Sequence, residues 1–263
     1  MNKTLLKSIE SFPPLRESIN QINAICNNDN VDLKALIRII EADPMLYTDI
    51  LRYSNAPHHG FSHTIISINQ VISLFGIFAI RGMALTAALK AHPFSDLTAY
   101  GTTVDRWFNV MTLQQRFLDL WLMKTHRSIL QSLGGLTFIL EIGRLAASYV
   151  LTCKKNPYSF SKCNPHELSL EEKNIIGLSG DELAAELFKM WYFDELLADS
   201  LCHSLSPSKG MNPEICAVLE CARTLFTLNG IEPFEYIEAT IQQYNLPLSD
   251  AKLAYETLLR EES

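Results

Sequence analysis

Apolar residues recur at helical spacing through most of the sequence. Leu15, Ile19, Ile22 and Cys26 share one face of a helix opened by Pro13-Pro14. Asp32 is placed to cap a second helix, whose apolar face is Leu33, Leu36, Ile37 and Ile40. Asp43-Pro44 restarts a helix with the cap and first-turn chemistry that helices favour. A long helical region is predicted from about Ser67 to Lys90, followed by a break over His92-Pro93 to Gly101. Further helices are predicted over roughly Val104–Lys124, Gly135–Lys154, Ser179–Met190, Asp194–Ser204, Pro213–Leu228, Pro233–Asn245 and Ser249–Glu261. Ser169 and Glu172 form a capping-box pattern, which predicts another helix start at Ser169. Sustained period-two alternation is absent, so the expected fold is all-α, a multi-helix bundle.

Composition sharpens this. The chain holds 38 Leu but 6 Val, a ratio that favours helix over strand. Its 48% hydrophobic and 19% charged residues exclude a disordered chain. The net charge of −7 gives no drive toward nucleic acid or an anionic membrane. The N-terminus lacks the apolar core of a signal peptide. The apolar runs Val71–Ile80 and Ile129–Leu151 are short or charged, so no membrane span and a cytoplasmic location are expected. The six cysteines form no C-x-x-C pair and are expected to be reduced and buried.

Other chemistry is sparse. His58, His59 and His63 fall in a Pro/Gly loop and read as surface residues. Cys163 and His166 make half of a zinc site with no second half, and read as an ordinary loop. Gly134-Gly135 could admit a phosphate at a helix start, or serve as a packing contact. No P-loop, G-x-S-x-G or G-x-G-x-x-G motif is present. Trp107, Phe108, Trp121, Trp191, Tyr192 and Phe193 are expected in the core.

Four motifs in order point further. They are Phe12-Pro13-Pro14-Leu15, the run from Ile39 through Asp43-Pro44 to Leu46, Leu51-Arg52-Tyr53-Ser54-Asn55-Ala56, and the run from Ile68 to Gly76. Together they resemble the HDOD family, an output domain related to metal-dependent HD hydrolases; the third is one residue out of register. A weaker match continues through Asp105–Asn109, Leu136–Leu145, Gly177–Trp191 and Leu201–Ser204. The resemblance covers roughly residues 10–230. It implies an N-terminal helical lobe over 1–92, a degenerate HD-like lobe over 93–230 packed on it, and C-terminal helices over 231–263, all in one module.

The same resemblance tests the chemistry. HD hydrolases hold metal with an adjacent His-Asp pair and with further His residues. At those positions this chain reads Asn109, Leu140-Glu141, Gly180 and His203-Ser204. The sequence contains no His-Asp dipeptide. The resemblance therefore implies no metal, no cofactor and no catalysis. Glu141 and Arg144 lie three apart on one helix face. They form either a local ion pair or a remnant of the old cleft able to hold a small polar ligand. The implied role is a bacterial, non-catalytic signal-transduction output or scaffold, near second-messenger or motility regulation. It would act through signalling or regulatory proteins or a small ligand, with the loop 155–168 and the C-terminal helices modulating contact. The alternative is a diverged HD-type phosphohydrolase that uses Glu141 and His203.

Overall fold

The computed structural model describes residues 12, 14–28, 30–56, 61–90, 96–123, 126–133, 139–153, 155, 158–161 and 164–261. Within them the chain forms fourteen α-helices. The first five are α1 (Glu17–Cys26), α2 (Leu33–Ala42), α3 (Pro44–Ser54), α4 (Ile68–Phe75) and α5 (Ile77–Lys90). A 3-10 turn at Thr98–Tyr100 leads to α6 (Val104–Leu122), α7 (Arg127–Ser132) and α8 (Ile142–Cys153). Then come α9 (Pro165–Ile176), α10 (Gly180–Met190), α11 (Glu195–Cys202) and α12 (Pro213–Leu225). The two-residue strands β1 (Phe226–Thr227) and β2 (Gly230–Ile231) follow, then α13 (Glu235–Gln243) and α14 (Leu248–Glu261). The fold is all-α apart from that small antiparallel hairpin, in which Phe226 pairs with Ile231.

The helix starts follow local chemistry. Asp32, Asp43, Ser67, Thr103, Asn164, Asp194 and Asn212 each accept a hydrogen bond from a first-turn amide of the helix that follows. Ser179 and Glu182 make a full capping box at α10.

Several boundaries differ from the sequence reading. The region from Ser67 to Lys90 is two helices, because Gly76 takes φ +84° and the axes bend by 117° there. Only a residue without Cβ adopts that backbone freely. Ser169 lies inside α9 and starts nothing; Asn164-Pro165 starts that helix five residues earlier. Residues 139–141 form a turn, so α8 begins at Ile142 rather than near Gly135.

The core is built around Trp107, Trp121, Phe117, Phe188 and Phe226, all fully buried. Each such side chain contributes about 2–3 kcal/mol of hydrophobic stabilisation. The aromatic run at the end of α10 splits: Trp191 and Phe193 are buried, but Tyr192 has φ +58° and is 84% exposed. Cys26, Cys216 and Cys221 are buried thiols, whereas Cys153 is exposed, against the expectation for it.

Packing brings distant segments together. α10 lies against α8 and α11, α12 against α13, and α14 along α6. Trp121 Nε1 donates to the Pro247 carbonyl at 3.0 Å, tying α6 to the segment that leads into α14. Asn23 on α1 and Asn27 at its C-terminal cap donate to the carbonyls of Trp191 and Tyr192 at 2.9 and 2.8 Å. No single described helix is long and apolar enough to cross a membrane; residues 80–89 of α5 are all buried.

Candidate functional site

The helix starts of α8 and α10 are pressed together at Gly143 and Gly180, where a Cβ on Gly143 would overlap the Gly180 carbonyl. That approach carries Glu141, just ahead of α8, toward Asp181, in the first turn of α10. Both carboxylates lie at the positive ends of helices. Buried Glu172 on α9, Gln114 on α6 and Arg223 on α12, with half-buried Tyr100 from the 3-10 turn, complete the cluster.

Arg223 joins its parts. Its Nη1 lies 2.5 Å from Asp181 Oδ1 and 2.7 Å from Ser204 Oγ. Its Nε lies 3.2 Å from Glu141 Oε1. Arg144 Nε lies 3.1 Å from Glu141 Oε2, and Gln114 Nε2 donates to Glu141 Oε1 at 2.8 Å. Trp107 Nε1 donates to the Glu141 carbonyl at 3.0 Å. Glu172 accepts from the Gly180 amide at 2.5 Å and from the Tyr100 hydroxyl at 2.7 Å.

Burial and charge act in opposite directions on these groups. Burial opposes the Glu141 carboxylate, but Arg144, Arg223 and Gln114 outweigh it and hold its pKa down to about 2. Burial, with the charge of Asp181 added, pushes Glu172 up to about 7, against the hydrogen bonds from Tyr100 and Gly180. Burial also raises Asp181, despite Arg223. Arg223 is held protonated by Asp181 and Glu141, although burial opposes its charge. With Glu172 protonated, two carboxylates face two guanidiniums and the cluster is neutral.

Little space remains. The cavity among Arg144, Ser169, Glu172, Asp181 and Arg223 is about 10 Å³, room for roughly a single water. Arg144 Nη1 and Gln114 Oε1 are buried without a hydrogen-bond partner among the described residues.

The residues singled out from sequence separate. Glu141, Arg144 and Gly180 belong to this cluster. Leu140 is core, with no polar group to offer. Asn109 is exposed on α6. His203 turns to its own helix, with Nδ1 3.0 Å from Asp199 Oδ1. Ser204, next to His203, is the residue that reaches the cluster, through Arg223. His63 is exposed, and His166 pairs with Glu220 at 3.2 Å. His58, His59, Gly134, Gly135 and Cys163 lie outside the described residues.

Sequence reasoning missed Arg223, Asp181, Glu172, Gln114, Tyr100 and Ser204. Arg223 had one visible signal, a cation inside the mainly apolar run from Ile215 to Phe226. Glu172 had a misleading one, since it read as the partner of a capping Ser169.

Among the described residues, no group of three or more His, Cys, Asp or Glu is arranged to hold a metal. The donor set does not fit the metal that an HD-type site implies. Of the positions in question, only Glu141 offers a carboxylate here, and its oxygens already meet two guanidiniums.

The comparisons agree with this architecture. No curated protein sequence matches the chain. A candidate phosphohydrolase from Shewanella amazonensis shares 16% identity at TM-score 0.62, covering 97% of this chain and 94% of that one. A candidate signal-transduction protein from Marinobacter aquaeolei shares 19% identity at TM-score 0.68, covering 98% of this chain and 62% of that one. An HDOD domain protein of unknown function from Geobacter sulfurreducens shares 15% identity at TM-score 0.62, covering 97% and 94%. At such identities the likeness concerns the fold alone. Residues 12–106 match the HDOD domain, the family likeness that this stretch of the chain carries.

Proposed function

We propose that this protein is a non-catalytic signalling module that acts by presenting surfaces to regulatory proteins. The observation that carries the reading is the state of Glu141: a carboxylate at the HD position, buried and saturated by Arg144, Arg223 and Gln114. Hydrolysis through this site needs a water activated beside a cation. Here the surrounding cavity is about 10 Å³ and lined by groups already engaged with one another. A small ligand larger than water would first have to break that network.

Contact with partners then falls to the exterior. Met45, Ile66 and Leu74 are 63%, 68% and 51% exposed within the segment matched to the HDOD domain. A contiguous surface built from such side chains would favour contact with another protein. The family match and the signal-transduction description of the Marinobacter aquaeolei protein support the same reading.

The test is a pair of measurements on the full chain. Affinity capture with the wild type should retain a specific protein that the Met45→Asp, Leu74→Asp double variant loses. Hydrolysis of bis-p-nitrophenyl phosphate with Mn²⁺ or Mg²⁺ should stay at the level of the buffer. Turnover that Glu141→Gln abolishes would overturn the reading in favour of a diverged phosphohydrolase.

A further inference from the structure

α10 closes in a turn that favours glycine. The Tyr192 amide donates to the Lys189 carbonyl at 3.1 Å, and the Phe193 amide to that of Phe188 at 3.0 Å. This pair of bonds ends a helix on one left-handed residue, most often Gly and sometimes Asn. α13 ends by the same pair of bonds, with Asn245 at φ +51°. α10 instead has Tyr192 there, at φ +58°. A residue with a Cβ gives up stability in that conformation, and Tyr lacks the short polar side chain with which Asn compensates. The turn is nevertheless held firmly. Phe193 stacks on Phe188 at 4.3 Å, and Asn23 and Asn27 bond the carbonyls of Trp191 and Tyr192. Arg81 in turn fixes Asn27. The Tyr192 ring takes no share in this packing: it is the most exposed large apolar side chain among the described residues. Backbone strain and an exposed ring thus fall on one residue, with no return to the fold.

We propose that Tyr192 is a fixed docking knob whose ring receives an Arg or Lys side chain from a basic segment of a partner protein. A ring on a backbone already held in place loses little freedom on binding, and Tyr is among the residues that anchor interfaces. The charges set the class of partner. Asp194 and Glu195, next in sequence, are exposed, whereas Lys189 is paired with Glu186 at 2.9 Å and Arg81 is buried. The surface beside the ring is therefore acidic, and a cation over an aromatic face is attracted by the ring itself. The turn shows the same chemistry internally, where the Arg81 guanidinium lies 5.3 Å from the centre of the Phe193 ring.

The inference rests on the reading that the exterior meets other proteins, but its test leaves the Met45 and Leu74 face untouched. Fluorescence anisotropy follows a labelled peptide of alternating Gly and Arg against the full chain at low salt. Saturable binding is expected, weakened about tenfold in Tyr192→Ala and kept in Tyr192→Phe, which retains the ring. Glu195→Gln should weaken it by a smaller factor, and a peptide of alternating Gly and Glu should not bind. Tyr192→Gly should lose the binding as Tyr192→Ala does while raising the midpoint of urea unfolding, because Gly adopts the left-handed backbone freely. A wild type that ignores the Gly-Arg peptide, or binding that survives in Tyr192→Ala, overturns the proposal. A lowered urea midpoint in Tyr192→Gly also overturns it, since the ring would then serve the fold. Failure of the Met45→Asp, Leu74→Asp variant to lose a captured protein bears on the scaffold reading alone.

Discussion

Gly143 and Gly180 meet backbone against backbone, and the Gly180 carbonyl occupies the place where a Gly143 Cβ would stand. The contact sets the spacing of α8 and α10, and so the reach of Arg223 to Glu141 and Asp181. Gly143→Ala gains about 1 kcal/mol of helix propensity. It loses about 3 kcal/mol to overpacking, because both sides of the contact are rigid backbone. Urea unfolding should show a net loss of about 2 kcal/mol. An unchanged or raised midpoint would mean the helices can part freely.

Glu172 and Glu141 give stability opposite pH slopes. Glu172 rises from 4.5 to about 7 on folding. Between those values the native chain binds more protons than the unfolded one, so stability falls as pH rises and levels off above about 7. The fall amounts to roughly 3 kcal/mol. Glu141 is lowered from 4.5 to about 2, so its contribution is present above 4.5 and lost as pH drops toward 2. Together they place the stability maximum near pH 4.5–5. Half-buried Asp119, raised to about 7 by burial, adds a smaller limb with the sign of Glu172. Glu172→Gln should therefore remove most of the decline between pH 5 and 7, but not all of it. Chemical denaturation across pH 3–8 reads both limbs.

Tyr100 acts on that titration through one hydrogen bond. Its hydroxyl donates to Glu172 Oε1 at 2.7 Å and favours the carboxylate. Tyr100→Phe keeps the ring stacked on Phe160, at 4.5 Å, and removes only the donor. A cost of about 1 kcal/mol is expected. The midpoint of Glu172, followed by carbon-13 NMR of its carboxyl, should move upward. A midpoint that stays in place would show that the hydroxyl does not act on this group.

Arg81 fastens the first helices to the turn after α10. Its side chain is 4% exposed. Its Nη1 bonds Asn27 Oδ1 at 3.0 Å and lies 3.7 Å from Asp194 Oδ2, and its guanidinium sits over the rings of Phe78 and Phe193. Arg81→Ala removes both the packing and the charge, at a cost of about 2–4 kcal/mol. Limited trypsin digestion should open the Trp191–Asp194 region sooner than in the wild type, with Lys189 as the reporting site. An unaltered digestion pattern would deny Arg81 that fastening role.

The sequence disclosed what local chemistry writes and hid what distance writes. Asp32, Asp43-Pro44, Asp194 and the helix-period apolar faces announced most helix starts. The split at Gly76 was hidden because apolar residues continue on both sides of it. The capping-box pattern of Ser169 and Glu172 and the Asn164-Pro165 pair are both plausible helix starts, and only tertiary packing chooses Asn164. At the site, Glu141 and Arg144 could be paired from their spacing alone. Arg223 could not, because its partners lie 82 and 42 residues away in sequence. Asn109 and His203 were named through alignment to a motif, and the structure turns Asn109 to solvent and His203 to Asp199.

Those same separations bear on how the molecule opens. If α12 alone came loose, Arg223 would leave Glu141 and Asp181 buried with only Arg144 for compensation, a state that costs about 3–5 kcal/mol more than local fraying. Such a half-open form is scarcely populated. The ends of α8, α10 and α12 are therefore expected to detach together, their amides exchanging with solvent as a single unit despite spanning more than 80 residues of chain.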